Sequence, residues 1–267
     1  MTAAPLIETI TDPADPRLAD YRQMKDRDLS AEGGRFVAES ELVVRRLLGS
    51  GLSVLSVLAT PVRLQALGGA LDGVTCPVFS ASQAVLDAIT GFHVHRGCLA
   101  IGQRPAHVEL PANARTLVVL EDLVSADNIG ATARNAAAFG ADALVLSPRA
   151  ADPFYRKAVR VSIGAVLQLP IIRLGAWPDG LIALKQRGFA LYGAVVDADA
   201  TPLASVRRPP KVALMLGAEG PGLSAAARAA CDRLVTIPMA PGADSLNVAT
   251  AGAVALFQLQ QALAPLT

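Results

Sequence analysis

Three stretches in the second half of the chain combine polar side chains and glycine with a flanking apolar run, as ligand-handling loops do. The first is Leu120-Glu-Asp-Leu-Val-Ser-Ala-Asp-Asn-Ile-Gly-Ala-Thr-Ala-Arg134, a strand, a polar loop and then a helix that continues to Gly140. Asp127 or Asn128 suits the helix N-cap, where a side-chain oxygen accepts from an otherwise unpaired N–H. Arg134 stands alone among Ile, Ala and Phe: either it snorkels to water, or its planar donor fork is aimed at a phosphate or ribose. Asn128 and Arg134 are six residues apart and need not share a helix face. The second stretch is Lys211-Val-Ala-Leu-Met-Leu-Gly-Ala-Glu-Gly-Pro-Gly-Leu-Ser224, a buried-strand pattern that opens into glycine and then into a helix that Ser224 can cap. Glycine there allows positive φ and close approach of a ligand to backbone, and Glu219 puts a carboxylate at a strand end. The third runs from Leu234 through Ile237-Pro-Met239, Ser245-Leu-Asn247 and a helix of small residues to Phe257. Ser245 or Asn247 can cap that helix, and its first N–H groups are donors for a ligand. Ala249, Ala251, Gly252, Ala253 and Ala255 allow another backbone to pack closely.

The glycine spacing excludes two common nucleotide sites. Gly-x-x-Gly-x-Gly is not the dinucleotide fingerprint, and no Gly-Lys-Ser/Thr marks a P-loop. Metal chemistry has little support either. Cys76, Cys98 and Cys231 form no CxxC, and His93 and His95 make two ligands without a third, so no metal site is expected. No apolar run reaches membrane-span length and the N-terminus lacks a secretory pattern, so a cytoplasmic protein with no membrane partner is expected.

These loops need a scaffold. Strand-like runs at Thr116–Leu120, Ala143–Ser147, Leu169–Arg173, Phe189–Val196, Val212–Leu216 and Leu234–Ile237 alternate with helical or loop segments, which predicts an α/β fold with a largely parallel sheet. Ligand sites in such sheets lie beyond the C-terminal strand ends, where the three stretches begin. Upstream, strands at Arg35–Ala38, Val54–Ala59, Cys76–Phe79 and Gly97–Gly102 alternate with helices at Ser40–Leu48, Val62–Leu71 and Ser82–Ile89, which reads as a small α/β domain. Two prolines and no periodicity mark the linker. The expected division is therefore residues 1–107, a linker at 108–115, and residues 116–267. Net charge is +1, with the parts before and after Ala112 carrying −2 and +3, which decides nothing about nucleic acid.

In this order and spacing, Asn-Ile-Gly-Ala-Thr-Ala-Arg-Asn, Leu-Gly-Ala-Glu-Gly-Pro-Gly-Leu and Ile-Pro-Met-Ala-Pro-Gly-Ala-Asp-Ser-Leu-Asn-Val-Ala-Thr-Ala resemble the three motifs of the SpoU (TrmH-like) RNA methyltransferases. Asp152-Pro-Phe-Tyr-Arg-Lys-Ala-Val-Arg-Val-Ser-Ile-Gly-Ala165 is similar to the family's segment between the first two. Arg35 to about Gln103 is similar to the L30e-like substrate-binding domain often placed before it. The resemblance implies a SPOUT α/β knot domain containing a deep trefoil knot. It implies S-adenosylmethionine as cofactor beside Gly217, Ile237 and Leu246, with Leu216, Met239 and Asn247 next to them. It also implies a homodimer. By the same comparison Arg134 is the central catalytic candidate, with Asn128, Glu219, Ser245 and Asn247 around it. The implied reaction is methyl transfer to a ribose 2′-hydroxyl of RNA, ribosomal RNA and guanosine being favoured, with transfer RNA the other substrate class.

Arg149, Arg156, Lys157 and Arg160 form a basic cluster between motifs that is either a solvated face or an RNA phosphate track. In-line transfer requires alignment of oxygen, methyl carbon and sulfur, and loss of the hydroxyl proton. The family's proposed base is the motif arginine. A guanidinium is effectively always charged, which favours binding of a phosphate or developing alkoxide instead. A catalytically silent RNA-binding protein on this scaffold would show a damaged motif, and none is seen. A nucleotide-dependent oxidoreductase would need the dinucleotide fingerprint that is missing.

Overall fold

The computed structural model describes residues 5–22, 34–91, 93–94, 96–106 and 108–261. They form two compact units, one from Met1–Ala106 with Pro153–Gln168, the other from His107–Asp152 with Leu169–Thr267.

The first unit is built on strands β1 (Ile7–Ile10), β2 (Arg35–Glu39), β3 (Val54–Ala59), β4 (Val78–Ala81) and β5 (Cys98–Gln103), in the sheet order β1-β4-β3-β5-β2. β5 runs antiparallel to β2 and β3, while β4 runs parallel to β1 and β3. Val37, Leu58, Phe79, Leu86, Leu99 and Ile101 fill its core. The Glu41–Leu48 and Gln83–Thr90 helices start where Ser40 and Ser82 accept from the N–H three residues on. β1 was not expected from the sequence. It is a four-residue edge strand with only Ile10 buried, too short to show alternation. Pro153–Gln168 belongs to this unit although it lies between motifs of the other. Phe154 packs on Phe36 with ring centroids 5.1 Å apart, and the Arg46 guanidinium donates to the Ile163 carbonyl.

The second unit is a seven-stranded, all-parallel sheet: β6 (Thr116–Leu120), β7 (Ala143–Leu146), β8 (Ile171–Arg173), β9 (Ala190–Ala194), β10 (Thr201–Pro202), β11 (Val212–Leu216) and β12 (Arg233–Thr236), in the order β10-β12-β9-β11-β6-β7-β8. Every residue of β6, β7 and β11 is buried, and all but Thr116 are apolar, as cover on both faces requires. β10, with two residues, escaped the sequence reading. β8 is shorter than expected because Leu169 and Pro170 precede the paired residues, although the Pro170 carbonyl still accepts from Leu144 at 2.9 Å. The Val248–Gln261 helix lies along the Ala126–Ala138 helix and β11, with Ala249, Gly252 and Ala255 buried. A Cβ at Gly252 would stand 2.8 Å from Leu216 Cδ1, so the close packing these small residues permit is used within the chain.

In β5, a Cβ at Gly102 would fall 2.4 Å from Cζ of Phe36, with the ring edges at 2.8 and 2.9 Å. Gly102→Ala is therefore expected to destabilise the first unit by about 1–3 kcal/mol, the usual cost of overpacking, seen as a lower urea midpoint. An unchanged midpoint would mean that the ring is not fixed there.

Candidate active site

Asn128 occupies the first turn of the Ala126–Ala138 helix, where the Ser125 hydroxyl accepts from its N–H at 3.4 Å and caps the helix. The expected cap at Asp127 or Asn128 thus falls on Ser125. Asn128 is left with a buried side-chain amide, 9% exposed, whose two ends both need partners. Its Nδ2 donates to Glu219 Oε1, and its Oδ1 accepts from Asn247 Nδ2 at 2.9 Å. Asn247 Oδ1 in turn accepts from the Ala249 N–H at 2.9 Å and the Thr250 N–H at 3.4 Å, which caps the last helix. A carboxylate accepts and cannot donate, so Glu219 sets the orientation of Asn128, and Asn128 that of Asn247. The chain of bonds joins all three polar loops.

Between Gly217 and Gly222 the backbone doubles back tightly, with Gly222 N–H donating to the Ala218 carbonyl at 2.9 Å. A Cβ at Gly217 would lie 2.2 Å from the Gly222 carbonyl carbon and 2.3 Å from the Leu223 nitrogen, so only glycine fits. Beneath this turn sits a residue that the sequence reading passed over. Glu121, 3% exposed at the end of β6, accepts from Ser224 N–H (2.8 Å), Ser224 Oγ (2.6 Å) and Trp177 Nε1 (2.6 Å). Ser224 also accepts from the Ala227 N–H at 3.1 Å and caps the Ala225–Ala230 helix, as its position predicts. The signal was present: a carboxylate directly after four apolar strand residues, at a strand end like Glu219.

The loops enclose a cavity of about 400 Å³. Leu216, Gly217, Ile237, Met239 and Leu246 all line it, with Glu219, Ser245 and Asn247. Ser245 is exposed and caps nothing, so of the two cap candidates Asn247 takes that role. Arg134 is not part of this grouping. It is exposed on the later turns of its helix, does not line the cavity, and makes no hydrogen bond or ion pair with another described residue.

The four basic candidates also divide. Arg149, in the second unit, has its side chain 83% exposed and pairs with Asp122, whose carboxyl is held below the usual carboxylate range by that guanidinium and by Ser147 Oγ. In the first unit, Arg156 and Arg160 begin and end one helical turn and both approach the buried Glu39, each at 3.9 Å, while Lys157 is exposed. They share a face, as their spacing predicts, but that face meets a carboxylate, which reduces the charge available to a phosphate. Among the described residues no group of three or more His, Cys, Asp or Glu side chains could hold a metal ion. His93 Nδ1 lies 2.7 Å from Asp87 Oδ2, and His95 lies outside the described residues. No helix among them is long and apolar enough to cross a membrane.

Residues 115–257 match the family described as SpoU rRNA methylase. A Mycobacterium tuberculosis protein named as an uncharacterized tRNA/rRNA methyltransferase is 42% identical over 263 residues, covering 94% of this chain and 91% of that one. The 23S rRNA (guanosine-2'-O-)-methyltransferase RlmB of Yersinia pestis is 32% identical over 205 residues, 74% of this chain and 83% of its own. Among solved structures, an RNA 2'-O ribose methyltransferase superposes with a TM-score of 0.78 at 26% identity, covering 96% of this chain and 99% of that one. An rRNA methyltransferase from Sinorhizobium meliloti has the same fold, with a TM-score of 0.83 at 23% identity over 97% of this chain and 99% of the other.

Glu121→Gln keeps the shape but replaces one accepting oxygen by an amide that confronts the Ser224 and Trp177 donors. The expected loss is roughly 1–3 kcal/mol of stability, the cost of buried donors left unpaired. Urea unfolding followed by Trp177 fluorescence measures it, since Trp177 is the chain's only tryptophan. A change below about 0.5 kcal/mol would show that Glu121 does not hold the turn.

Proposed function

The chain belongs to the SpoU rRNA methylase family, and from that premise we propose that it transfers a methyl group from S-adenosylmethionine to a ribose 2′-hydroxyl of ribosomal RNA, with guanosine the favoured nucleoside. One observation carries the reading: all six residues expected beside the cofactor line a single cavity at the strand ends, together with the catalytic candidates Glu219 and Ser245. The residues present fit this cofactor. Gly217 leaves backbone rather than a side chain at the wall, and Leu216, Ile237, Met239 and Leu246 offer apolar surface to a flat base. Glu219 supplies a negative group to a cationic ligand.

S-adenosylmethionine supplies an electrophilic methyl group on a positively charged sulfur. The chain's part is to hold and orient. Asn128, Glu219 and Asn247 fix the three loops against one another, and Ser245 presents a hydroxyl to the cavity. Arg134, exposed and free of a carboxylate partner among the described residues, is assigned to a phosphate of the target nucleotide or to its developing alkoxide. A residue with that task belongs on the side that meets RNA, which accords with its absence from the cavity lining.

Within the same reading the C-terminal unit is a SPOUT domain whose chain threads a deep trefoil knot. The insertion of β12 between β10 and β9 and the reach of Asn247 back to Asn128 support it. Residues 1–107 form an L30e-like RNA-binding domain, supported by the mixed five-stranded sheet, 108–115 the linker, and 116–267 the catalytic domain. The enzyme is a homodimer. Val254 and Phe257 on the last helix, 40% and 50% exposed, support a surface that a second copy covers.

Purified protein given methyl-labelled S-adenosylmethionine should label ribosomal RNA, with the label recovered as a 2′-O-methyl nucleoside. Label confined to transfer RNA would move the substrate class, and label in neither would defeat the assignment. Arg134→Ala should lower single-turnover rate by at least about 100-fold at unchanged cofactor affinity, the scale of a lost transition-state donor. Activity within tenfold of wild type would remove Arg134 from the mechanism. Sedimentation tests the dimer: Phe257→Asp should convert it to monomer, and a wild-type protein that sediments as monomer refutes it.

A further inference from the structure

The other end of the parallel sheet also carries a site. β6 and β11 are adjacent and in register from Thr116 opposite Val212 to Leu120 opposite Leu216. The cavity described above opens at the Leu216 end. At the Thr116 end, roughly 13 Å away along the strands at about 3.3 Å per residue, a cleft of about 630 Å³ is lined by Asn113, Arg115, Arg208, Pro209, Pro210 and Lys211. Three of these six residues are cations and none is acidic. They come from the two segments that lead into β6 and β11, so strand pairing brings them together.

Each cation retains donor capacity. Arg115 is exposed, and its side chain makes no hydrogen bond or ion pair with another described residue. Lys211 Nζ gives one hydrogen bond to the Arg187 carbonyl at 3.1 Å and lies 5.4 Å from the centroid of the Phe189 ring, which leaves two protons unassigned. Arg208 is held by Nη2 on Thr116 Oγ1 at 2.6 Å, and its Nη1 is a buried donor with no partner. The acid whose charge acts on Arg208 is Asp142, and its Oδ2 already accepts the backbone N–H groups of Arg115 (2.7 Å) and Thr116 (2.8 Å). Burial and the like charge of Arg115 depress the Arg208 guanidinium's affinity for its proton, and Asp142 only partly offsets them. Three clustered cations that keep unassigned donors and have no ion pair with a described carboxylate are relieved by an oxyanion. Guanidinium forks and ammonium groups are the groups that hold phosphate.

We propose that this cleft is a second RNA contact, at which a backbone phosphate is held by Arg115, Arg208 and Lys211 at the end of the sheet opposite the methyl-transfer cavity. The inference rests on the reading of the chain as an RNA methyltransferase and deepens it. It assigns to the enzyme an anchoring point remote from the reacting ribose, sequence-independent because phosphates carry no base identity.

The test measures binding of an in vitro transcript of large-subunit ribosomal RNA across a salt series, using Arg115→Gln, Lys211→Gln and the charge-reversed Arg115→Glu. Arg208 is left intact because of its bond to Thr116. Each neutral variant should lower the slope of log affinity against log salt by a measurable amount of at most about 0.7–0.9, the value for one whole phosphate contact. Arg115→Glu should weaken binding further, Lys211→Arg should restore the slope, and affinity for S-adenosylmethionine should stay at the wild-type value throughout. Slopes equal to wild type in all variants overturn the inference, as does a cleft that binds inorganic phosphate in calorimetry while the RNA slope stays fixed. Wild-type protein that neither binds nor methylates any RNA overturns the underlying reading and this inference with it. Wild-type methylation with unchanged variant slopes overturns only the second contact.

Discussion

A buried primary amide at the start of a helix has to find one acceptor and one donor, and Asn128 finds them only in loops 91 and 119 residues further along the chain. That requirement organises the site. Leaving either end of the amide unpaired costs on the order of 1–3 kcal/mol, so the Glu219 loop and the Asn247 loop are held where their side chains reach it. The bonds have a direction, from the Asn247 amide to Asn128 and from Asn128 to the Glu219 carboxylate. A flip of either asparagine would oppose like groups. Because Asn247 is also the cap of the last helix, the same network sets where that helix starts against the Ala126–Ala138 helix. Packing continues the constraint: Gly252 meets Leu216, and Leu216 is the last residue of β11 before the glycine turn.

Two carboxylates at neighbouring strand ends have separate tasks. Glu121 is buried and saturated by three donors, so it serves as a fixed support beneath the Gly217–Gly222 turn. Glu219 gives one oxygen to Asn128 and is otherwise open to the cavity. Had both been open, the turn would lack its anchor. Had both been saturated, the cavity would lack a negative group. The difference arises from depth: Glu121 directly follows β6 and is 3% exposed among its three donors, whereas Glu219 stands three residues beyond the end of β11 and is exposed.

What the sequence made legible followed the range of the forces involved. Fully buried strands such as Thr116–Leu120 and Val212–Leu216 read correctly because four or five apolar residues in a row need cover on both faces whatever surrounds them. The helix starting after Ser224 read correctly because capping is local. β1 and β10 were not legible, since a short edge strand is defined by its partner. The same limit applied to function. The resemblance to the family motifs marked Asn128, Glu219 and Asn247 as a set, yet the bonds that make them one, the approach of Arg156 and Arg160 to Glu39, and the support from Glu121 are all long-range pairings. Arg134 shows the converse: the motif includes it, but within one chain it has no described partner.

The charge layout of the second unit follows from the chemistry proposed for it. A methyl donor carrying a sulfonium is itself a cation, and a unit charge placed about 4 Å from another costs about 4 kcal/mol at an effective dielectric of 20. Phosphate-binding arginines and lysines crowded around the cavity would therefore oppose cofactor binding even as they attracted RNA. The cavity lining contains a carboxylate at Glu219 and one arginine, Arg228, whose charge is paired with Asp197. The unpaired cations Arg115 and Lys211 lie instead at the far end of the strands. At roughly 13 Å, beyond the Debye length of about 8 Å at physiological ionic strength, their repulsion of a cation in the cavity is largely screened. Their attraction for a polyanion long enough to reach both ends is not diminished by that distance. A small anionic substrate could not exploit such a separation, whereas a folded RNA can, and binding energy gathered at the remote end is then available to hold the ribose in line with the methyl group.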